Sequence, residues 1–260
     1  MLRSAPTSSA MTKPALLQRA ATARVAAWLV HGLTASGIVL GVLALLAVEE
    51  RDWRMALSWL AAALIVDGVD GPLARWAQVG KVTPDIDGNI LDLVIDYFTF
   101  VLVPALLIYR AGLVPPAFAL GAVALILLSS LYHYARRDLK TPDNYFNGFP
   151  ALWNVVAFYL LVGQIGQVAG LLVICVFAGL TFAPVCFVHP FRVREHWPLL
   201  PGAAVLWAVS TLALLPGVDQ GLPNPFLFGC SLLAAAVLLL LGALRTVRGP
   251  APPRQATGRS

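Results

Sequence analysis

Long apolar runs separated by short polar segments recur along the chain. Eight of them approach the roughly 20 residues that cross a bilayer as an α-helix, at 26–48, 54–76, 88–109, 112–134, 148–166, 169–189, 197–216 and 224–246. The two-residue alternation of a membrane barrel strand is missing from these runs. The pattern therefore predicts an all-α fold, a polytopic integral membrane helix bundle of about eight transmembrane helices. Only the segment GQIGQVAG divides the fifth run from the sixth, which makes that boundary the least marked. All loops are short, and no repeat or low-complexity tract separates the runs. Residues 26–246 thus read as a single transmembrane domain between a mobile N-terminal tail, 1–25, and a C-terminal tail, 247–260. The first of these tails has no continuous apolar core and does not resemble a cleaved signal.

Composition agrees with solvation by lipid. Of 260 residues, 59% are hydrophobic and 12% charged, about half the charge of a soluble domain. The formal net charge is +5, and its distribution orients the chain. With a cytoplasmic N-terminus, Arg51, Arg54 and Arg110 are the only three of the 18 Lys and Arg residues on the far side. The other 15 (18 − 3) make a positive cytoplasmic face suited to anionic head groups. No basic domain or aromatic platform points to nucleic acid. Cys175, Cys186 and Cys230 form no CxxC pair and read as packing residues, as do Gly37 and Gly41 in SGIVLG.

The acids change this picture. Six of the 13 fall between Asp67 and Asp96, in DGVDGPLARWAQVGKVTPDIDGNILDLVID. Asp67, Asp70, Gly71 and Ala74 share one helical face, and Gly88, Asp92 and Asp96 recur every four residues on the next helix. Both sets lie near the cytoplasmic ends of their spans. Four carboxylates converging at low dielectric repel one another unless something neutralises them. Hard oxygen ligands suit Mg²⁺ or Mn²⁺, ions that commonly bridge to phosphate. The small residues leave room for a ligand against the backbone, and Arg75 offers a forked donor for phosphate. A lone intramembrane acid can be a satisfied helix–helix contact. Four in register with glycines predict a metal and phosphate site.

At Asp67, Asp70, Gly71, Ala74, Arg75, Gly88, Asp92 and Asp96 the chain resembles the CDP-alcohol phosphotransferase family. The family signature is two acids framing a DG, then AR, then a glycine followed by two acids at four-residue steps. Here the 12 residues WAQVGKVTPDID separate Arg75 from Gly88, more than in most of the family. That spacer, and the segment YHYARRDLKTPDNYFNGFPALWN from Tyr132 to Asn154, look like the bacterial phosphatidylcholine synthase branch.

The resemblance implies that Asp67, Asp70, Asp92 and Asp96 hold two divalent ions, Mn²⁺ or Mg²⁺, with Asp96 also the general base. It implies that Gly71, Ala74 and Gly88 let a cytidine nucleotide lie close, that Arg75 supports the head of the site, and that the turn holding His31 and Thr34 can touch the nucleotide. CDP-diacylglycerol and choline would be the substrates and CMP a product, in a bacterial inner membrane. Many relatives are dimeric, so a homodimer is implied. No common family position maps onto Lys81, Asp85 and Asp87, which read as a solvated loop.

Quaternary ammonium groups are usually recognised by aromatic faces. Tyr132, Tyr134, Tyr145, Phe146 and Trp153, with Asp138 or Asp143 nearby, are compatible with such a cage for choline and equally with an interfacial aromatic belt. His31 is as compatible with a hydrogen bond to a neighbouring helix, and His189 and His196 in HPFRVREH read as interface residues. Serine, glycerol phosphate or an inositol compound remain alternative acceptors. A cation transporter lined by the aspartates is the alternative of another class. The last two spans carry no functional signal and read as completing the bundle.

Overall fold

The computed structural model describes residues 13–221 and 223–249. Among the described residues eight helices make up the bundle: α1 (Lys13–Glu49), α2 (Trp53–Trp76), α3 (Gly88–Arg110), α4 (Pro116–Ala135), α5 (Trp153–Val162), α6 (Gln167–Phe182), α7 (Leu199–Leu214) and α8 (Pro225–Arg248). Six of these, in order α1 to α4, α7 and α8, are long and apolar enough to cross a bilayer. The chain is a polytopic helical membrane protein. Residues 1–12 and 250–260, most of the expected tails, lie outside the described residues.

Three expectations are corrected. Helix α1 begins at Lys13, not near residue 26, so half of the expected N-terminal tail is helical. Helix α5 has only 10 residues instead of spanning 148–166, about 15 Å of helix against a hydrocarbon core of about 30 Å. Helix α6 stops at Phe182 instead of 189. Proline explains the last case, because Pro184 excludes the helical conformation from the residue before it. Ala183 is accordingly extended, at φ −84° and ψ 148°. At α5, Pro150 and the left-handed Gly148 (φ +84°) and Ala151 (φ +56°) keep 148–152 out of the helix.

The chain freed from these two helices forms a cap. Strand β1 (Phe146–Asn147) pairs antiparallel with β2 (Cys186–Phe187), Phe146 opposite Phe187 and Asn147 opposite Cys186. Gly148 and Phe149 donate backbone hydrogen bonds to Val185 and Leu180 (2.8 and 3.2 Å). A side chain on Gly148 would meet the Thr181 carbonyl at 2.5 Å, so glycine is required there. The cap is also tied to α8. Arg245 donates to both oxygens of Asp143 (2.6 and 3.2 Å), and the Cys186 amide donates to Thr246 Oγ1 (2.8 Å).

Close helix approach follows from small residues. On α1, a Cβ at Gly37 would meet Ile95 at 2.8 Å, and one at Gly41 would meet the Phe98 ring at 2.6 Å. These two glycines therefore press α1 against α3 beside its acids. A π-helical segment, Tyr97–Leu102, interrupts α3 immediately after Asp96, and Tyr97 donates to the Leu127 carbonyl of α4 (3.0 Å). Elsewhere several polar groups in the bundle find one another. Trp153 Nε1 donates to Ser130 (2.7 Å), and Trp207 Nε1 to Tyr159 Oη (3.0 Å), which also bonds Ser231 (2.6 Å). At the end remote from the acids, Arg110 pairs with Glu49 and Arg54 with Asp219 (2.6 and 3.3 Å).

Overpacking this seam costs about 1–3 kcal/mol. Gly41→Leu is therefore expected to lower the thermal midpoint of the detergent-solubilised protein. Gly179→Ala, where an added Cβ meets nothing within 4 Å, is expected to leave it unchanged or raise it. Scanning fluorimetry of the two variants checks this.

Candidate active site

Helix α2 brings Asp67 and Asp70 to the basic end of the bundle, and α3 returns from that end carrying Asp92 and Asp96. Pro72 lies inside α2 and has no N–H to donate to the Gly68 carbonyl. The helical hydrogen bond from residue 72 to residue 68 is thus missing from α2 beside its two acids. Asp87 starts α3, accepting from the amides of Asn89 and Ile90 (2.9 and 3.3 Å). Its role is that of an N-cap rather than an unattached loop residue. Lys81 and Asp85 are exposed, as a solvated loop requires.

One carboxylate oxygen from each of Asp67, Asp70 and Asp92 lies within 4.8 Å of the other two. Asp70 is buried and its partners are half-buried. Asp96, one turn deeper on the same face of α3, stands outside that trio. Three hard oxygen donors at this spacing fit a divalent cation, which would offset the cost of holding them together.

A cavity of about 240 Å³ opens beside the trio. Thr34, Gly71, Ala74, Arg75 and Gly88 all line it, together with Asp70 and Asp92. The residues expected to meet a nucleotide are therefore gathered around one space. His31 lines it too and bonds Thr83 through Nε2 (3.0 Å). Because the Thr83 hydroxyl donates to the Val79 carbonyl (3.0 Å), the imidazole N–H is the donor to Thr83. His31 thus ties α1 to the lengthened spacer. That spacer includes a helical turn, Val79–Val82, whose Val79 packs on Ala27 and Val30 of α1.

The aromatic residues do not form one cage. Trp153 is fully buried in the main core, and Tyr145 is fully buried in a separate cluster with Val193 and Leu200. Tyr132 is exposed on α4 and lies against Phe182, ring centroids 4.7 Å apart. The nearby acids are already engaged. Arg136 bonds Asp138 bidentately (2.8 and 2.6 Å), holding its carboxyl down at about 2. Arg245 likewise keeps the Asp143 carboxyl below the usual range. Neither acid is a free counter-charge for a quaternary ammonium.

Two cations at the site are ordinary loop residues in the sequence. Arg192, from the HPFRVREH loop, places Nη2 3.9 Å from the position of a Cβ on Gly71, where Arg75 Nη1 stands at 3.5 Å. Lys140, from the cap, acts with Arg192 on the charges of Asp67 and Asp92. His189 stacks on Phe146 (5.5 Å, 5°), and its Nδ1 is buried without a partner. Burial, reinforced by Lys140 and Arg192, pushes its imidazole down to about 4, so His189 is neutral at pH 7. No acid or glycine pattern marks Arg192 or His189, Lys140 is only one residue of the Tyr132–Asn154 segment, and only chain folding brings them over α2.

Asp70→Asn is expected to weaken Mn²⁺ binding by more than about tenfold, since even changes to groups behind a metal's ligands cost 10–100-fold. Asp85→Asn, on the exposed spacer, is expected to leave it unaltered. Titration followed by electron paramagnetic resonance measures both.

Comparison with known proteins bears on these features. Residues 27–187, more than half the chain, match the CDP-alcohol phosphatidyltransferase family. A phosphatidylcholine synthase of Pseudomonas aeruginosa is 44% identical over 222 residues, covering 85% of this chain and 92% of the relative. One from Rhizobium johnstonii is 38% identical, covering 87% and 93%, and one from Legionella pneumophila is 33% identical, covering 85% and 89%. The match runs from within α1 through α6 to β2 and includes every motif residue of α2 and α3. This chain belongs to the CDP-alcohol phosphatidyltransferase family.

Proposed function

We propose that the chain is a phosphatidylcholine synthase, transferring the phosphatidyl group of CDP-diacylglycerol to choline and releasing CMP. The observation that carries this reading is one cavity lined by Thr34, Gly71, Ala74, Arg75 and Gly88 beside three converging carboxylates. Similarity over most of the chain to proteins named for that activity supports it.

In this reading Asp67, Asp70, Asp92 and Asp96 hold divalent ions, two of them, Mn²⁺ or Mg²⁺. When bound, such ions neutralise charge on the attacking and leaving oxygens of an in-line displacement. Gly71, Ala74 and Gly88 present little bulk, so the cytidine nucleotide lies close to the helices, while Arg75 and Thr34 meet its polar groups. Asp96 takes the proton from the choline hydroxyl as the oxygen attacks the phosphorus bearing diacylglycerol. A new P–O bond to choline forms, the P–O bond to CMP breaks, and CMP departs with the bonding pair. The diacylglycerol tails stay in lipid, and the charged head reaches the acids at the end of the bundle.

By the positive-inside rule the basic face is cytoplasmic, so the site opens to the cytoplasm of a bacterial inner membrane. We further propose, on the family resemblance alone, that the protein acts as a homodimer.

CMP release from CDP-diacylglycerol in micelles tests the reaction, with choline, serine, glycerol 3-phosphate or no alcohol, and with Mn²⁺, Mg²⁺ or chelator. Metal-dependent release with choline alone is expected. Asp96→Asn is expected to lower kcat by about 10²–10⁴-fold, the usual contribution of a general base. Release with another alcohol instead would overturn the choline assignment, and no release from folded protein would overturn phosphatidyl transfer.

A further inference from the structure

The basic residues of the bundle differ in what they face. Arg54, Arg110, Arg136 and Arg245 are each paired with a carboxylate within 4.0 Å. Lys140 and Arg192 have no such pair among the described residues, although both lie within electrostatic reach of Asp92. Both are exposed. Lys140 places its ammonium 5.0 Å from the centre of the Phe146 ring. Two cations that overlook an acidic cluster without closing onto it leave a gap. A group carrying negative charge and bridging to a carboxylate-held cation fits such a gap.

Charge decides which substrate enters. A quaternary ammonium has no acceptor atom and is repelled by an ammonium and a guanidinium. A diphosphate offers several acceptor oxygens to both. The cations therefore belong to the nucleotide-bearing substrate and not to the alcohol.

Their position depends on helix α8. Lys140 bridges Phe146 in the backbone ladder, and Phe146 opens β1. Strand β2, five residues before Arg192, is tied to α8 by the bond from the Cys186 amide to Thr246. The Arg245 guanidinium holds Asp143 in the turn between Lys140 and β1, and it lies 5.5 Å from the Tyr145 ring centre. Gly242 lets the Cys186 carbonyl rest directly on α8. Both cation-bearing segments are thus fastened to a helix that carries no motif residue.

We infer that Lys140 and Arg192 form a phosphate-binding subsite that receives the diphosphate of the nucleotide–lipid donor, and that the Arg245–Asp143 pair on α8 positions it. The inference rests on the phosphatidyl-transfer reading for the identity of its ligand. Lys140 and Arg192 touch the donor. Arg245 and Asp143 act only through the cap.

The test is calorimetric titration of the full-length protein in detergent with CDP-diacylglycerol, without choline, followed by steady-state transfer. Lys140→Ala and Arg192→Ala are each expected to raise the donor Kd and KM by about tenfold or more, the effect of losing a charge-assisted hydrogen bond. The choline KM stays within about twofold of wild type. Lys140→Arg and Arg192→Lys recover most of the loss, which a folding defect would not do. Arg245→Ala raises the donor KM, and the exchanged pair Asp143→Arg/Arg245→Asp restores it. An unchanged donor Kd in both alanine variants would overturn the subsite alone. So would a choline KM that rises in parallel, or conservative variants as defective as the alanines. Folded wild-type protein that binds no CDP-diacylglycerol would overturn the transfer reading, and the subsite with it.

Discussion

Mutual repulsion among carboxylates at the edge of the bilayer is the constraint on which the rest of this structure depends. Asp67, Asp70 and Asp92 offer oxygens within 4.8 Å of one another, with Asp96 one turn away. Such a group is costly at low dielectric. It persists only where surrounding packing denies it relaxation and where cations can offset it. Both conditions are visible. Gly37 and Gly41 let α1 press against the helix carrying two of the acids. Arg75, Arg192 and Lys140 gather above them.

The arrangement separates rigid from applied parts. Helices α1 to α3 make the carboxylate trio and the cavity, joined through His31 and Thr83 to the spacer. The cap is laid over this from two segments released by the short helices α5 and α6. Proline and left-handed glycine at their ends divert the chain into a two-residue ladder. Helix α8, silent in motif terms, fastens that ladder through Arg245, Thr246 and Gly242. The shortening of the helices, an apparent defect in a membrane bundle, supplies the backbone from which the cap is made.

Legibility differed among residues for physical reasons. Asp67, Asp70, Gly71, Ala74, Arg75, Gly88, Asp92 and Asp96 lie on two consecutive helices, where periodicity dictates which side chains share a face. The convergence of Asp70, Gly71, Ala74, Arg75, Gly88 and Asp92 on one cavity was therefore readable. Arg192 was not, because its approach to Gly71 depends on a loop path that no local period governs. The aromatic segment misled for the opposite reason. Tyr132, Tyr145 and Trp153 are neighbours in sequence, yet they end in three environments because the chain leaves the helix after Ala135 and turns twice. Asp87 read as loop because an N-cap is defined by the backbone amides it meets.

Composition and periodicity by themselves determined the membrane bundle, the approximate places of its helices and the acid-bearing faces of α2 and α3. These follow from hydropathy and from the fixed geometry of the helix, which act over a few turns of chain. Tertiary structure alone decided where α5 and α6 stop, which arginines are consumed in ion pairs, and which cations remain above the acids. Those outcomes depend on contacts between segments far apart in the chain, such as Asp143 with Arg245 and Cys186 with Thr246. Each such contact forms only if the intervening loops close, and local sequence carries no record of that.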